Sequence, residues 1–339
     1  MVAFAPERPV GWLTPERLAA MPDTLVFHAR KKLAATLQKG SFKLLSALAD
    51  HALSQGWQIE IVEYSAKGQD TALANPRHLH VLMDDRPAYA PNAIHSVPSY
   101  LNGYWFFDEI GSRNNSLAHL ARFDPRMVKG DEARPLHAAL VEKFVRANRS
   151  RLPQPELGAE VIVPGSLAFF SQDFKVPKYH RHFMTIPQMI AAAISVRGNR
   201  VLYIKPHPVQ TPEELATLTA FHDPGAGVIV TTASIHDLLP ACDCVLTLTS
   251  AVGFEAFLHR KPAVLGGQTD FWQNAVTLTD PARIGAAIDK AVTTHWPYEK
   301  FLHWYLKTMC LEDTKANLGR VLTILARKGF AFADQNGLY

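Results

Sequence analysis

Two stretches in the second half of the chain hold side chains whose types and spacing suit phosphate chemistry: Tyr203-Ile-Lys-Pro-His-Pro208 and Thr247-Leu-Thr-Ser-Ala-Val-Gly-Phe-Glu-Ala256. In the first, Pro206 and Pro208 fix φ on either side of His207 and turn the chain sharply off an apolar strand. An imidazole held that rigidly can donate a hydrogen bond to a phosphate oxygen, and Lys205 adds charge. In the second, Thr249 leads into Ser250, a natural N-cap. The amides of Ala251 to Gly253 would then point beyond the strand, where an anion needs little else. Gly253 permits close approach of a ligand or a strand, and Glu255, one turn into the helix, is placed to meet ribose hydroxyls. Each stretch alone also reads as a plain turn or a capped helix. Their recurrence, one crossover apart and followed by Arg260-Lys-Pro-Ala-Val-Leu-Gly-Gly267, favours a shared site.

The elements that must position them alternate. Glu160–Pro164, Val201–Lys205, Val228–Thr231, Cys244–Leu248 and Ala263–Leu265 read as strands. Helices are predicted between them at His182–Ser195, Pro212–Phe221, Ile235–Leu239 and Ala251–His259. That order predicts a doubly wound domain with its ligand beyond the carboxyl ends of the strands. The first half alternates too. Strands are expected at Thr24–His28, Gln58–Glu63, His78–Met83 and Gly103–Phe107, and a helix over Lys31–Gln55 is open to a break at Gly40. Asp131–Arg149 reads as a helix, and Ser150–Gly158, with two prolines and a glycine, as the linker. Helices are expected over Ala282–Thr293, Tyr298–Met309 and Thr314–Lys328.

With 339 residues the chain suits two domains of about 150 residues each. Hydrophobic residues at 47% and charged residues at 19% describe a globular chain, and a net charge of +4 without a basic block argues against a nucleic-acid partner. Cys242, Cys244 and Cys310 lack metal-ligand spacing, which fits reduced thiols in a cytoplasmic setting. No signal peptide or spanning helix is read, and peripheral contact with the inner membrane stays open. In Tyr179-His-Arg-His182 the histidines stand at i, i+2 with no third ligand at helical spacing, so no metal site is expected. Tyr104 to Phe107 read as a core strand. Asp173 and Lys175 are open to facing the site.

At these residues the chain resembles the bacterial capsule polysaccharide biosynthesis proteins, the group containing Kdo transferases, which share the His-Pro motif with bacterial sialyltransferases. Lys205, His207, Pro208, Ser250, Gly253, Glu255, Ala256, Lys261, Pro262 and Gly267 match the pattern, with Phe257 for its leucine and Ala263 for its valine. A further family motif, V-x-G-Q-x-x-x-D, has two imperfect counterparts: Val161-Ile-Val-Pro-Gly165-Ser166, which makes Gly165 and Ser166 candidate donor contacts, and Phe169-Phe-Ser171-Gln172-Asp173. The resemblance implies an α/β, GT-B-like fold of two doubly wound Rossmann-like domains facing a central cleft. The N-terminal domain (1–155) would bind acceptor, the C-terminal domain (156–300) would bind the nucleotide-sugar, and helices at 301–339 would pack back on the first. It implies metal-independent, inverting transfer from a CMP-sugar donor to a glycan or lipid-linked acceptor, without a cofactor. His207 would serve the departing phosphate. Phe106-Phe-Asp-Glu-Ile-Gly111 resembles the acidic-pair-glycine motif of the sialyltransferases with one inserted residue, which makes Asp108 the candidate base, with Glu109 behind it. Asp84-Asp85 is the competing pair, and Ser112–Ser116 could touch acceptor. Three alternatives stay open: a CDP-dependent polyol-phosphate transferase, for which a second His-Pro would be expected, a catalytically inactive nucleotide-sugar binding protein, and an epimerase. Oligomeric state is not legible.

Overall fold

A computed structural model describes residues 14–74, 76–84, 86–147, 162–172, 174 and 180–332. Contacts divide the chain into two units, Met1–Leu117 with Leu306–Tyr339, and Ala118–Tyr305. Each carries a parallel sheet, so the fold is α/β with two Rossmann-like domains.

In the first unit, Thr24-Leu-Val-Phe-His-Ala29 is an apolar run buried along its whole length, as a central parallel strand must be. This strand, β1 (Thr24–Ala29), pairs in parallel with β2 (Gln58–Glu63) and β3 (Leu79–Leu82), and β3 with β4 (Ala93–His95), in the order β2-β1-β3-β4. The helices are α1 (Pro15–Ala20), α2 (Lys31–Gln38), α3 (Lys43–Ser54) and α4 (Ala66–Leu73). Gly40, at φ +62°, ends α2 in the left-handed conformation and separates it from α3. Leu25, Phe27 and Ala29 face a core shared with Leu45 and Leu48 of α3 and with Val321 and Leu325 of the last helix, Leu318–Arg327. On the sheet's other face His28 Nε2 and His80 Nδ1 lie 3.0 Å apart, both buried. Burial depresses both imidazoles, His28 to about 3 and His80 well below its usual value, so the pair is neutral.

One strand departs from expectation. β5 (Tyr104–Phe106) does not join the parallel sheet, because Gly103, at φ +94°, reverses the chain. The segment folds back along Val97–Ser99, with Phe106 N donating to Val97 O at 2.9 Å, and its outer edge pairs antiparallel with β12 (Cys310–Glu312). Tyr104, Trp105, Phe106 and Phe107 are all buried, as a core strand requires.

The second unit contains a six-stranded parallel sheet in the order β11-β10-β9-β6-β7-β8. Its strands are β6 (Ser166–Phe170), β7 (Leu202–Lys205), β8 (Val228–Val230), β9 (Cys242–Thr247), β10 (Ala263–Leu265) and β11 (Val276–Thr277). The helices are α5 (Gly130–Leu140), α6 (Ile186–Val196), α7 (Pro212–Thr219), α8 (Ile235–Ala241), α9 (Val252–Glu255), α10 (Ile284–Thr293) and α11 (Tyr298–Trp304). Thr185 and Thr211 start α6 and α7 with full capping boxes, closed by Gln188 and Glu214. The first strand of this unit lies later than the sequence suggests. Residues 162–165 are not strand, since Pro164 has no amide to pair and Gly165 turns at φ +77°, and the fully buried Ser166–Phe170 takes the central place. Contacts also put α5 in the second unit, because it packs along α11, so the observed divisions fall at 117/118 and 305/306 rather than at 155 and 300. The linker at 150–158 lies outside the described residues.

Candidate nucleotide-binding site

From β6 the sheet grows one way through β7 and β8 and the other way through β9, β10 and β11, so the reversal falls between β6 and β9. At such a point the loops leaving the carboxyl ends of the strands diverge, and ligands of doubly wound sheets bind in the crevice they leave. Three loops leave the carboxyl ends here: Ser171-Gln172 after β6, Pro206–Gln210 after β7 and Leu248–Ala251 after β9.

Gln210 ties the first two together. Its Nε2 donates to Ser171 Oγ at 2.7 Å, while its Oε1 accepts from His207 N at 2.9 Å. His207 Nδ1 accepts from Val209 N at 3.4 Å, which puts the ring proton on Nε2 and makes that nitrogen a donor. The ring is half-buried. Lys205 Nζ donates to Thr232 O at 3.2 Å, and burial lowers the ammonium's pKa. Pro208 is exposed.

Thr247 joins the third loop to the first. Its hydroxyl lies 2.8 Å from Phe170 O and 3.2 Å from Gln172 Oε1, and it accepts from Ser250 N at 3.2 Å. The N-cap falls on Ala251, one residue later than expected, and Ser250 just before it uses two of the amides expected to be open: Val252 N donates to Ser250 Oγ at 3.3 Å and Gly253 N to Ser250 O at 3.0 Å. The amide of Ala251 is left without a partner among the described residues. Gly253 serves packing rather than ligand, since a Cβ there would lie 3.2 Å from both Phe271 Cε2 and Thr247 Cγ2. Glu255 is half-buried and unpaired among the described residues, and burial raises its carboxyl to about 7. Thr249 meets His182, whose Nε2 stands 3.1 Å from its Oγ1.

Gly165 and Ser166 are not brought to this crevice. They stand at the amino-terminal start of β6, so the opposite edge of the sheet separates them from His207 and Ser250. The residues in the corresponding place are Ser171 and Gln172, at the strand's carboxyl end. The signal for them was the apolar run Leu167–Phe170, a better buried strand than Val161–Val163. Gln210 carried no sequence signal beyond following the His-Pro. Asp173 and Lys175 lie outside the described residues.

The candidate acids belong to the first unit. Asp108, only 3% exposed, accepts from Ile110 N (3.0 Å) and Gly111 N (3.2 Å) at Oδ1 and from Leu117 N (2.7 Å) at Oδ2. It thereby closes the loop 108–117, in which Gly111 is obligatory because a Cβ would come within 2.4 Å of Asn115 O. Burial pushes the Asp108 carboxyl up to about 6, against the three amides that favour its anion. Glu109 pairs with Arg327 Nη2 at 2.8 Å, and the buried Lys328 donates to Glu109 O at 3.0 Å and to Ala93 O. Asp84 is buried too, accepting from Arg86 N at 2.7 Å and from Gln69 Nε2. Asp85 lies outside the described residues. No group of three His, Cys, Asp or Glu among the described residues is placed to hold a metal ion, and no helix among them is long and apolar enough to cross a membrane.

A chain of two α/β units, each with a parallel sheet, has a GT-B-like fold. Residues 149–295 match the family described as capsule polysaccharide biosynthesis protein. Over those residues the chain is similar to that family. No curated protein matches it in sequence. Among solved structures it is similar to the β-Kdo 2,7 transferase of Thermosulfurimonas dismutans KpsC, at 12% identity and a TM-score of 0.54, covering 89% of this chain and 99% of that one. The β-Kdo 2,4 transferase of the same protein aligns at 12% identity and a TM-score of 0.41, over 81% and 88%. UDP-GlcNAc 2-epimerase from Methanocaldococcus jannaschii aligns at 10% and 0.41, over 89% and 99%. At such identities the first likeness speaks for the fold.

Proposed function

We propose that the chain transfers a sugar, Kdo or a related acid, from a CMP donor to a glycan or lipid-linked acceptor of a surface polysaccharide. The observation that carries the reading is His207: its Nδ1 is occupied by Val209 N, so its Nε2–H is a fixed donor beside the crevice between β6 and β9. In this reading Nε2–H, the Ser250 hydroxyl and the Ala251 amide hold the donor phosphate and take up the charge that grows on it as the glycosidic bond breaks. Lys205 adds a nearby positive charge, and Glu255 receives the ribose hydroxyls. These groups do the work a metal ion does in other transferases, so none is required.

Asp108 is proposed as the base that takes the acceptor proton, with Glu109 holding the loop through Arg327. A carboxyl raised to about 6 is matched to proton uptake near neutrality. One displacement at the anomeric carbon inverts its configuration. A covalent sugar adduct trapped on Asp108 would replace that step by a double displacement with retention. Contact with the membrane is then peripheral, made to reach a lipid-linked acceptor.

The test is calorimetric titration with CMP, CDP, UDP and GDP, followed by CMP-Kdo turnover with and without a glycan acceptor. CMP is expected to bind most tightly, and acceptor to accelerate CMP release. Preference for UDP or GDP, or a changed sugar without acceptor, contradicts the reading.

A further inference from the structure

The loop between β6 and α6 brings a second histidine to the same edge of the sheet. Main-chain bonds pin it there: Phe183 N donates to Gly266 O at 2.9 Å and Gln268 N to Arg181 O at 2.8 Å, with His182 bridged antiparallel to Gly267 between them. The fit depends on Gly267, where a Cβ would come within 2.6 Å of Thr249 Cγ2 and 3.2 Å of His182 Cδ2. His182 and Thr249 are therefore pressed together at the carboxyl ends of β9 and β10, beside Ser250.

The two threonines of this loop differ in their commitments. Thr247 is fully buried and engaged with Phe170, Gln172 and Ser250. Thr249 is half-buried, and among the described residues its hydroxyl has His182 as its only partner. Burial and the neighbouring His180 lower the pKa of His182, so the ring is neutral and has one N–H to give. If that proton sits on Nε2, it occupies a lone pair of Thr249 Oγ1 and leaves the hydroxyl proton to point elsewhere.

We propose that His182 is a positioning residue of the nucleotide site: its Nε2–H holds Thr249 Oγ1 so that the threonine hydroxyl donates to an anionic oxygen of the bound donor. The inference rests on the function proposed above and adds a residue beside β9 and β10, on the other side of β6 from His207, which follows β7. His182 acts through Thr249 and does not itself touch the nucleotide.

Calorimetric titration of CMP into wild type, His182→Ala, His182→Gln, Thr249→Val and the His182→Ala/Thr249→Val double variant tests it. Each of His182→Ala and Thr249→Val is expected to weaken binding about tenfold, the cost of one hydrogen bond to a charged group. The double variant should lose no more than either single, as expected for two residues serving one contact. His182→Gln keeps an amide donor within reach and should stay within about threefold of wild type. Unchanged affinity in His182→Ala or Thr249→Val, or losses that multiply in the double variant, overturns the inference while leaving the function standing. Wild type that takes up no CMP removes both. Should His182→Ala fail to fold, Thr249→Val and His182→Gln decide the matter by the same criteria.

Discussion

The two units treat their polar residues in opposite ways. In the first, these ionisable groups are consumed by the fold: Asp108 closes a loop with three amides, Glu109 holds Arg327, Lys328 holds two carbonyls, and His28 and His80 bond to each other. In the second, His207, Thr249 and Glu255 are half-buried and keep hydrogen-bonding capacity that no described residue uses. A site that must recognise a fixed nucleotide gains from preformed donors. A carboxylate meant to act on a proton gains from a rigid, poorly solvated place that lifts its pKa. The contrast teaches that buried and satisfied need not mean structural only, and it is open to direct attack.

The largest effect is expected at Asp108. Asp108→Asn keeps one acceptor oxygen for the loop but removes the proposed base, and should lower transfer by about 10³-fold while CMP affinity stays within about twofold. Steady-state kinetics paired with calorimetry check this. If melting temperature falls and the residual turnover per folded molecule is unchanged, Asp108 belongs wholly to the fold and the contrast between the units becomes absolute. His207→Ala should cost about 10²-fold in transfer, as for a lost donor to a developing anion, with little change in melting temperature. A variant that melts early and transfers normally would place His207 with the structural residues.

Acid sensitivity separates the units as well. His28 is neutral in the fold, with its pKa depressed to about 3, and charges readily when unfolded. Its contribution is therefore present above about pH 6.5 and lost as pH falls toward 3. Asp108 runs the other way, because its raised pKa favours the fold at low pH and loses that advantage as pH rises through about 6. Comparing wild type with His28→Gln by denaturant unfolding isolates the first: between pH 7.5 and 5, wild type should lose on the order of 2 kcal/mol more than the variant. Equal losses would mean that the buried histidine pair does not set the acid limit of the first unit. The smallest effect is expected from Glu109→Gln. Its ion pair with Arg327 is partly exposed, so stability should change by less than about 1 kcal/mol in thermal unfolding.

Much of the second sheet was legible in the sequence because β7, β8 and β10 are apolar runs each bounded by a proline or a glycine, whereas the two-residue β11 (Val276–Thr277) carried no such signal. Ala263-Val-Leu265 is an example of the former, matching its predicted span. Legibility failed where two apolar runs competed. Val161–Val163 and Leu167–Phe170 both look like strands, and only pairing on both sides with β7 and β9 selects the second. That selection moved Gly165 and Ser166 to the far edge and brought Ser171 and Gln172 to the crevice. β5 was expected as a strand, but its pairing with β12 was hidden for a related reason, since an antiparallel pair joining residues 104–106 to 310–312 depends on a return of the chain that no local pattern encodes. β4, three residues long after a loop rich in proline and alanine, was too short to show a period. The use of Val252 and Gly253 amides by Ser250, and the engagement of Asp108 with three amides, depend on loop geometry, which residue types do not fix.

A crystal soaked with CMP tests the central claim most directly. The nucleotide should lie in the crevice between β6 and β9, with a phosphate oxygen within hydrogen-bond reach of His207 Nε2 and another near the Ser250 hydroxyl. A nucleotide seated at the amino-terminal edge of the sheet, or a crevice left vacant at saturating CMP, would contradict the account.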